Sequence, residues 1–183
     1  MSDLPGLLAA GPVDLQACRV EDLDALMAAI EMSQPELARW LPWADPMPTR
    51  EAEEVFLRRG VTSFDANKEW GYFLIESDSG ELVGGTGLHP REDGTAEIGY
   101  WVRSDRTGKG YATAAAQALT SAAFAYLPNV VRVIIRMDQA NLASAAVPRK
   151  LGFELGGEDP SREITTSGHT GTGWIWFQNR PVP

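Results

Sequence analysis

Three strand-like runs of mainly apolar residues lie in the middle of the chain, at residues 70–76, 82–89 and 95–102. Two short segments separate them, Asp-Ser-Gly at 78–80 and Glu-Asp-Gly at 92–94. These segments contain the residue types of the tight turns that join antiparallel strands. The pattern therefore predicts a three-stranded antiparallel meander.

Helical periodicity comes before the meander, after a first strand predicted at residues 13–20. Apolar residues then recur with the three- and four-residue spacing of a helix face, at Leu23, Leu26, Met27 and Ile30. Further on, Thr49 precedes three glutamates at positions 51, 53 and 54, which suit the positive end of a helix dipole. We expect a second helix that Thr49 caps and that ends near Gly60.

The second half of the chain alternates between helix and strand patterns. A helix of small residues is predicted from about Gly110 to Tyr126, and β-branched residues then predict a strand at 130–137. A strand–helix–strand passage of this kind favours a parallel pair between that strand and the run at 95–102. The remaining elements are short, a helix at 143–151 and strands at 153–156 and 173–177. The predicted fold class is α/β with a mixed sheet.

The composition is that of one ordinary globular domain, since 44% of the 183 residues are hydrophobic and 22% are charged. We expect a single domain over residues 1–183, with its core at about 12–180. The uncharged stretch at 110–127 is built from Ala, Thr, Ser and Gln rather than Leu and Ile, so it predicts a buried helix and no membrane span. The single cysteine, Cys18, excludes an internal disulfide and favours a reducing, cytoplasmic setting. Because only His89 and His169 add imidazole ligands, we predict no metal site.

Charge is distributed unevenly along this acidic chain, whose formal net charge is −9. Residues 103–150 carry seven basic and two acidic groups, whereas the rest of the chain is strongly acidic. The overall negative charge argues against a nucleic-acid partner and suits a small basic acceptor such as an amine. The basic segment is what a phosphate-bearing cofactor requires, although a chance excess of basic residues on solvated faces would give the same pattern.

The most informative segment joins the predicted strand at 95–102 to the helix that begins near Gly110. It reads Thr-Gly-Lys-Gly-Tyr-Ala-Thr at 107–113, so two glycines stand directly before the helix. Glycines let the backbone approach a ligand closely, and the unpaired N–H groups of a helix N-terminus attract anions. We predict a phosphate or pyrophosphate site there. Taken alone, the Gly-x-Gly pair also fits an ordinary flexible turn, because it matches neither the Walker A nor the dinucleotide-binding spacing.

Two motifs carry a family resemblance. Thr-Gly-Lys-Gly-Tyr-Ala at 107–112 resembles the pyrophosphate loop of the GNAT superfamily of acyl-CoA-dependent N-acyltransferases, Gln/Arg-x-x-Gly-x-Gly/Ala, with Thr107 at the first position. Asn-x-x-Ser-x-x-Val-x-x-Lys-Leu-Gly-Phe at 141–153 resembles the later helix of that family. With the segments 37–43 and 97–102, these motifs resemble the RimJ/RimL-like subgroup of ribosomal-protein N-terminal alanine and serine acetyltransferases.

The resemblance implies a central, mostly antiparallel sheet that splays at a parallel strand pair, with flanking helices and an acetyl-CoA site in the gap. Backbone groups at 100–102 would hold the pantetheine and the acetyl carbonyl, and those at 108–113 the pyrophosphate. Asn141 would bond the pantetheine, cap its helix, or do both, and Lys150 would reach a CoA phosphate or lie in solvent. The implied cofactor-binding residues are Tyr100, Trp101, Val102, Arg103, Thr107, Gly108, Lys109, Gly110, Tyr111, Ala112, Thr113, Asn141, Ser144 and Lys150.

Acetyl transfer to an amine needs a proton acceptor for the amine and a proton donor for the leaving thiolate. Glu97 begins an otherwise apolar run, where burial would raise its pKa toward that of a usable base, and a solvated strand-edge carboxylate is the alternative. The family's general-acid tyrosine position is Pro148 in this chain. The resemblance therefore implies that Ser144 assists the CoA sulfur. The alternative is that Ser144 is an ordinary serine on the helix surface. Pro148 also removes the N–H that would bond the carbonyl of Ser144.

Trp40, Trp43 and Trp70 are candidates for an acceptor pocket, with an aromatic core patch as the alternative. We predict an acetyl-CoA-dependent N-acetyltransferase that acts on a primary amine, either a protein N-terminus or a small basic amine. One alternative is an N-acyltransferase for succinyl-CoA or another acyl-CoA, recognised by a basic residue such as Arg136. The other alternative is a catalytically silent CoA-binding protein. Family habit suggests a homodimer.

Overall fold

The computed structural model of the protein describes residues 4–159 and 163–182. In these residues one sheet holds the strands β1 (Leu7–Ala9), β2 (Val13–Ala17), β3 (Trp70–Glu76), β4 (Leu82–Pro90), β5 (Thr95–Val102), β6 (Arg132–Asp138), β7 (Glu154–Asp159) and β8 (Gly173–Asn179). Their order across the sheet is β1-β2-β3-β4-β5-β6-β8-β7. Neighbouring strands are antiparallel except β5 and β6, which run parallel. The predicted α/β class with a mixed sheet is confirmed.

Helices cover both faces of the sheet. The helices are α1 (Leu23–Ala38), α2 (Arg50–Asp65), α3 (Tyr111–Tyr126) and α4 (Leu142–Lys150). The larger buried cluster contains residues of α3 and α4 together with one face of the strands, and the smaller cluster contains residues of α1 and α2 with the opposite face. We call these the α3 face and the α1 face of the sheet.

Alternation along the strands explains the two layers, because successive side chains of a strand point to opposite faces. On β3, Trp70, Tyr72 and Leu74 join the cluster of the α3 face, whereas Phe73 joins that of the α1 face. The alanines of α3 allow that helix to pack closely on the sheet, and Ala115 is fully buried. In the described part of the chain, no helix is long and apolar enough to cross a membrane.

Most predicted elements are present, with differences at their ends. The meander of β3, β4 and β5 and the parallel pair β5–β6 are confirmed. Thr49 caps α2 as predicted, since its Oγ1 accepts a hydrogen bond of 3.2 Å from the N–H of Ala52. The predicted end of α2 near Gly60 is wrong, because the helix continues to Asp65. One glycine costs a helix only about 1 kcal/mol, and burial of Leu57 offsets that cost.

The parallel strands β5 and β6 separate partway along their length. Their register pairs Thr95–Glu97 with residues 132–134, although β5 runs on to Val102 and β6 to Asp138. Over the same stretch β5 stays paired with β4, and β6 stays paired with β8. A gap therefore opens between β5 and β6 beyond Glu97, and α3 begins shortly after β5 ends.

Candidate functional site

The edge of β5 that faces the gap offers backbone polar groups. The carbonyl of Gly99 accepts a 2.8 Å hydrogen bond from Thr86, and the N–H of Arg103 donates one of 2.8 Å to Val83, so both point toward β4. Because backbone groups alternate between the two sides of a strand, those of Tyr100 and Val102 point into the gap. The predicted backbone contact from Trp101 is corrected, since its backbone groups face β4.

The loop before α3 presents backbone N–H groups at the same end of the sheet. Gly108 and Gly110 adopt left-handed conformations, with φ of 78° and 84°, which glycine tolerates best. Gly110 is the N-cap of α3, and its carbonyl accepts the N–H of Ala114 at 2.9 Å. The N–H groups of residues 111–113 belong to the first turn and have no partner within the helix. Their arrangement fits an anion such as a pyrophosphate.

The charged side chains around this loop are paired with carboxylates of the protein. Lys109 Nζ lies 3.0 Å from Glu76, and Arg106 lies 2.5 Å from Glu81. Arg103 is bound 2.9 Å from Asp105, and only 12% of its side chain is exposed. Arg103 and Lys109, both predicted cofactor residues, are therefore held in ion pairs, and the N–H groups of the loop are the unpaired donors beside them.

Glu76 joins the turn between β3 and β4 to the first turn of α3. Its carboxylate is 8% exposed and accepts hydrogen bonds from the hydroxyl of Tyr111, from Ser79 at 2.7 Å and from Lys109 at 3.0 Å. These bonds, that of Tyr111 first, lower the pKa of Glu76 to about 2. The same bond to Glu76 raises the pKa of Tyr111. Tyr111 is thus a buried anchor of the loop, and this role was not predicted.

Ser144 lies on α4 beside the gap. Asn141 caps that helix as predicted, because its Oδ1 accepts a 3.0 Å hydrogen bond from the N–H of Ser144. The Oγ of Ser144 donates to the hydroxyl oxygen of Tyr100 at 3.3 Å. The hydroxyl of Tyr100 in turn donates to the carbonyl of Ser144 at 3.0 Å. Tyr100 therefore connects β5 to α4 on the α3 face.

This contact compensates for Pro148. Proline lacks the N–H that would bond the carbonyl of Ser144 four residues earlier in α4, and the hydroxyl of Tyr100 bonds that carbonyl instead. Burial raises the pKa of Tyr100 to about 12, so the phenol remains protonated at neutral pH and can donate. A side chain from β5 thus replaces the hydrogen bond that Pro148 removes from α4.

Two other predicted cofactor residues lie at the borders of this region. The hydroxyl of Thr107 donates to the carbonyl of Ser104 at 3.2 Å, which holds it within the loop. Lys150 is exposed in the last turn of α4. The Thr107 contact lies within the loop, and no contact of Lys150 with residues at the gap is described.

On the α1 face of the sheet, next to the gap, three neighbouring strands each carry a glycine, so no side chain rises from the sheet at these positions. The register places Gly71, Gly87 and Gly99 side by side on β3, β4 and β5. A Cβ on Gly99 would meet nothing within 4 Å, whereas one on Gly87 would come within 2.7 Å of Nε2 of His89. We call these three positions the glycine row. The row is open at Gly99, whereas the His89 ring covers Gly87 and the Sγ of Cys18 lies 3.6 Å from a Cβ placed on Gly71. We call the open end at Gly99, which borders the gap, the groove.

A row of charged side chains runs along one side of this groove. His89 is paired in register with Glu97 on β5, and its Nδ1 lies 3.3 Å from Oε1 of Glu69. We call Glu69, His89 and Glu97 the charged row. The His89 side chain is 42% exposed. The sequence alone did not suggest a role for His89 or Glu69.

Glu97 has different surroundings from those predicted. Its Oε2 lies 2.7 Å from Arg91 and 3.9 Å from Arg136, and 23% of the side chain is exposed. The predicted apolar environment is therefore corrected, because the side chain points to the α1 face among arginines while its neighbours Ala96 and Ile98 point into the core.

The three predicted acceptor tryptophans do not form one pocket. Trp43 is 42% exposed and packs edge to face against Trp101, with ring centroids 6.2 Å apart, beside the glycine row. Trp40 packs under the loop that contains His169, whose Nε2 lies 3.0 Å from the Trp40 carbonyl. Trp70 is 2% exposed in the core of the α3 face. The prediction that Trp70 lines an acceptor pocket is corrected, because its position in β3 directs it away from the groove.

A cavity of about 500 Å³ lies beyond Glu97, with Arg91, Arg132 and Arg136 in its walls. Arg132 stacks on Phe177 at 4.5 Å from the ring centroid, and Arg136 lies 3.3 Å from Asp159. Among the residues that the structure describes, no group of three or more His, Cys, Asp or Glu side chains could hold a metal ion.

Comparison with known proteins gives a family match and close folds. The family model described as "Acetyltransferase (GNAT) domain" matches residues 13–154. The chain is 30% identical over 145 residues to the Bacillus subtilis (strain 168) protein named "Putative ribosomal N-acetyltransferase YdaF", which covers 77% of each chain. It is 36% identical over 104 residues to an L-methionine sulfoximine/L-methionine sulfone acetyltransferase of Pseudomonas paraeruginosa, which covers 53% of this chain and 59% of that protein.

Solved structures share the fold at lower identity. RimL, a ribosomal-protein alpha-N-acetyltransferase in complex with coenzyme A, superposes with a TM-score of 0.85 at 20% identity, over 94% of this chain and 97% of that chain. The microcin self-immunity acetyltransferase MccE in complex with acetyl-CoA and AMP gives a TM-score of 0.85 at 19% identity, over 96% and 97%. These likenesses confirm the predicted fold.

Proposed function

The chain belongs to the GNAT acetyltransferase family, and from that premise we propose that it transfers the acetyl group of acetyl-CoA directly to a primary amine. One observation carries the proposal. The gap between β5 and β6 is bordered on the α3 face by the loop at 107–113 and by Ser144, and on the α1 face by the open floor at Gly99. A thioester and an amine can therefore approach each other from opposite faces of the sheet.

The residues on the α3 face fit acetyl-CoA. A Cβ on Gly108 or Gly110 would meet nothing within 4 Å, so the loop is open to a ligand. The N–H groups of residues 111–113 would bind the pyrophosphate, and the gap-facing backbone groups of Tyr100 and Val102 would bind the pantetheine and the acetyl carbonyl. Asn141 and Lys150 remain proposed contacts for the pantetheine and a CoA phosphate. Acetyl-CoA supplies an activated thioester carbonyl.

Ser144 is the proposed proton donor to the sulfur. Its Oγ borders the gap and donates to the hydroxyl oxygen of Tyr100 at 3.3 Å, which fixes its position relative to β5. Rotation of the O–H away from Tyr100 would direct the same proton at the sulfur. A hydroxyl aimed at the leaving sulfur stabilises the negative charge that develops there. Tyr100 is a positioning residue for Ser144 in this account.

Glu97 is proposed as a relay for the proton of the amine on the α1 face. Its ion pair with Arg91 at 2.7 Å fixes the carboxylate in the charged row, next to the groove in which the amine would lie. Proton transfer to solvent can pass along this row.

Two acceptor classes follow from the site. A protein N-terminus is the first, and the name of the Bacillus subtilis relative is consistent with it. An amine that also carries an anionic group is the second, consistent with the amino-acid-like substrates named for the Pseudomonas relative. Its anionic group would have to replace carboxylates of the protein at the arginines of the cavity beyond Glu97, where Arg91 pairs with Glu97 and Arg136 with Asp159. A guanidinium binds a carboxylate in a bidentate geometry.

The test is the release of free thiol from acetyl-CoA by the purified protein in the presence of separate acceptors. The panel contains peptides that begin with Ser or Ala, methionine sulfone, lysine peptides and polyamines. We expect release with one acceptor class, together with an acceptor mass increase of one acetyl group. Release with succinyl-CoA in preference to acetyl-CoA would contradict the acyl-group assignment. Thermal stabilisation by acetyl-CoA without release on any acceptor would favour a silent binder.

We also propose that residues 1–183 form one transferase domain, that the protein acts in the cytoplasm and that it forms a homodimer. The edge strand β7 supports the dimer, because five of its six residues are exposed and its outer side is available for a second chain. Light scattering of the purified protein tests the dimer, and a monomer mass at micromolar concentration would contradict it.

A further inference from the structure

The groove on the α1 face contains an imidazole that the proposed mechanism does not yet use. Resting on the proposed acetyl transfer, we propose that His89, oriented by Glu69, is the catalytic base that removes the proton from the acceptor amine. His89 lies on β4, one strand away from the gap-bordering strand β5. The proposal rests on three observations about its position, its orientation and its neighbours.

The position of the ring is fixed by the glycine row. Its Nε2 lies over Gly87, where an added Cβ would come within 2.7 Å of it. Gly87 is the register partner of Gly99, and the space above Gly99 is open. An amine that lies over Gly99 to reach the gap is therefore adjacent to the imidazole, within the distance that one bridging water spans.

The orientation of the ring is set by Glu69. Nδ1 of His89 lies 3.3 Å from Oε1 of Glu69, within ion-pair distance. In the proposed mechanism the Nδ1 proton is held beside this carboxylate. This tautomer leaves the lone pair on Nε2, the atom that faces the groove. A carboxylate behind an imidazole also stabilises the imidazolium that forms when the ring accepts a proton.

The neighbours of His89 decide which member of the charged row accepts the proton. Glu97 faces it from β5 and is engaged by Arg91 at 2.7 Å and by Arg136 at 3.9 Å, whereas Glu69 faces it from the residue before β3. Two guanidiniums hold the carboxylate of Glu97, whereas no cation lies at Nε2 of His89 among the described contacts. His89 is therefore favoured over Glu97 as the first acceptor.

An acceptor ammonium gives one proton to Nε2 of His89 and becomes a neutral amine. Its nitrogen forms the new bond to the acetyl carbon, and the carbon–sulfur bond breaks. The sulfur takes a proton from the hydroxyl of Ser144. The serine oxygen then takes the second proton that the nitrogen loses, so Ser144 ends in its starting state. His89 then releases its proton to solvent.

The test compares His89→Ala, His89→Asn, Glu69→Gln and Glu97→Gln in steady-state transfer from acetyl-CoA to whichever panel acceptor the wild type uses. We expect His89→Ala and His89→Asn to lower kcat by about 100-fold, the usual contribution of a general base, with the KM for acetyl-CoA within about threefold of wild type. Glu69→Gln should lower kcat by about tenfold, because it changes the orientation of the ring only. Glu92→Gln, an exposed carboxylate of the β4–β5 turn, is the matched control.

Two readouts separate a base from a structural residue. Added imidazole should restore the kcat of His89→Ala but not that of His89→Asn, whose side chain fills the site. The wild-type rate should fall on the acid side as the imidazole becomes protonated, and this limb should disappear in His89→Ala. A wild-type rate and pH profile in His89→Ala, or a larger loss in Glu97→Gln than in His89→Ala, would overturn the proposal. Absence of transfer by the wild type would instead contradict the proposed function.

Discussion

The two faces of the sheet that meet at the gap between β5 and β6 are built in different ways. On the α3 face, the cofactor side, the loop at 107–113 offers backbone N–H groups while its cations pair with Glu76 and Glu81. On the α1 face, the acceptor side, glycines remove side chains from the floor, and the charged row stands beside it. In the proposed mechanism, main-chain atoms bind the cofactor, whereas side chains select and deprotonate the acceptor.

This difference implies that the two sides can be impaired separately. Backbone contacts depend on loop conformation, so the cofactor side is sensitive to changes in the left-handed glycines. The acceptor side is sensitive to added volume in the groove and to loss of its titratable groups. Variants on one side should therefore change acetyl-CoA affinity, and variants on the other should change turnover.

The largest separation is expected from Gly99→Val. A valine side chain would occupy the open floor next to the gap without meeting other atoms of the protein at its Cβ. We expect kcat/KM for the acceptor to fall by about 100-fold, because displacement of the amine by an ångström has that effect. The dissociation constant of acetyl-CoA, measured by calorimetry, should stay within about twofold of wild type. Equal losses in kcat/KM for the acceptor and in acetyl-CoA affinity would contradict the assignment of the cofactor and the acceptor to different faces.

Ser144→Ala should give the next largest effect. The variant removes a hydrogen bond to the developing thiolate, worth about 2 kcal/mol, so kcat should fall by about 30-fold. Its acetyl-CoA dissociation constant should change little, since the backbone holds the cofactor. Steady-state kinetics with calorimetric binding provide the check, and Ser121→Ala on α3 is a control that removes an exposed serine away from the gap. Comparable losses in turnover and affinity would assign Ser144 to binding.

Gly110→Ala should act on the cofactor side alone. The left-handed φ of 84° disfavours a side chain by about 1–2 kcal/mol, so acetyl-CoA should bind about tenfold more weakly. The kcat at saturating acetyl-CoA should remain near that of wild type. Gly11→Ala, at a φ of 74° in the turn before β2, is the matched control because it carries the same backbone cost far from the loop. An equal loss of affinity in both variants would show that general destabilisation, not the loop, is responsible.

Glu76→Gln should have the smallest effect on transfer and a visible effect on stability. The folded-state pKa of Glu76, about 2, lies below its ordinary value of 4.5, so its stabilisation is complete above pH 4.5 and is lost as the pH falls toward 2. The variant should melt at a lower temperature than wild type at neutral pH. The difference should narrow as the pH falls through that window.

Melting curves between pH 7 and pH 3 provide this measurement. Glu54→Gln on α2 is the control, because it removes an exposed carboxylate that pairs with Arg58. A difference between wild type and Glu76→Gln that is constant with pH would contradict the assigned state of this carboxylate.

The cofactor side could be predicted from sequence because its features are local. The glycines at 108 and 110 and the helix after them are consecutive, and Asn141 caps a helix three residues before Ser144. The strand pattern likewise predicted the meander and the parallel pair, since turn residues and β-branched runs mark their own positions. The ion pairs of Lys109 and Arg106 were not predicted, because their partners Glu76 and Glu81 lie far away in the sequence, at the end of β3 and in the turn after it.

The acceptor side could not be predicted, because its residues are brought together only by the pairing register of β3, β4 and β5. Gly71, Gly87 and Gly99 are separated along the chain, and only strand pairing places them side by side. The contact of Tyr100 with the carbonyl that Pro148 leaves unbonded also depends on how β5 faces α4. Trp70 differs from its predicted role and Glu97 from its predicted apolar surroundings for a related reason, because one step along a strand reverses the face.

The measurement that tests this account most directly is amide hydrogen exchange of the protein with and without acetyl-CoA. The account predicts slower exchange on binding at residues 98–102 and 107–113, where gap-facing and loop N–H groups would contact the cofactor. Residues 69–71 and 85–89, which hold the members of the glycine row and the charged row on and beside β3 and β4, should exchange at unchanged rates. Protection of those residues with none at 107–113 would contradict the assignment of the two faces.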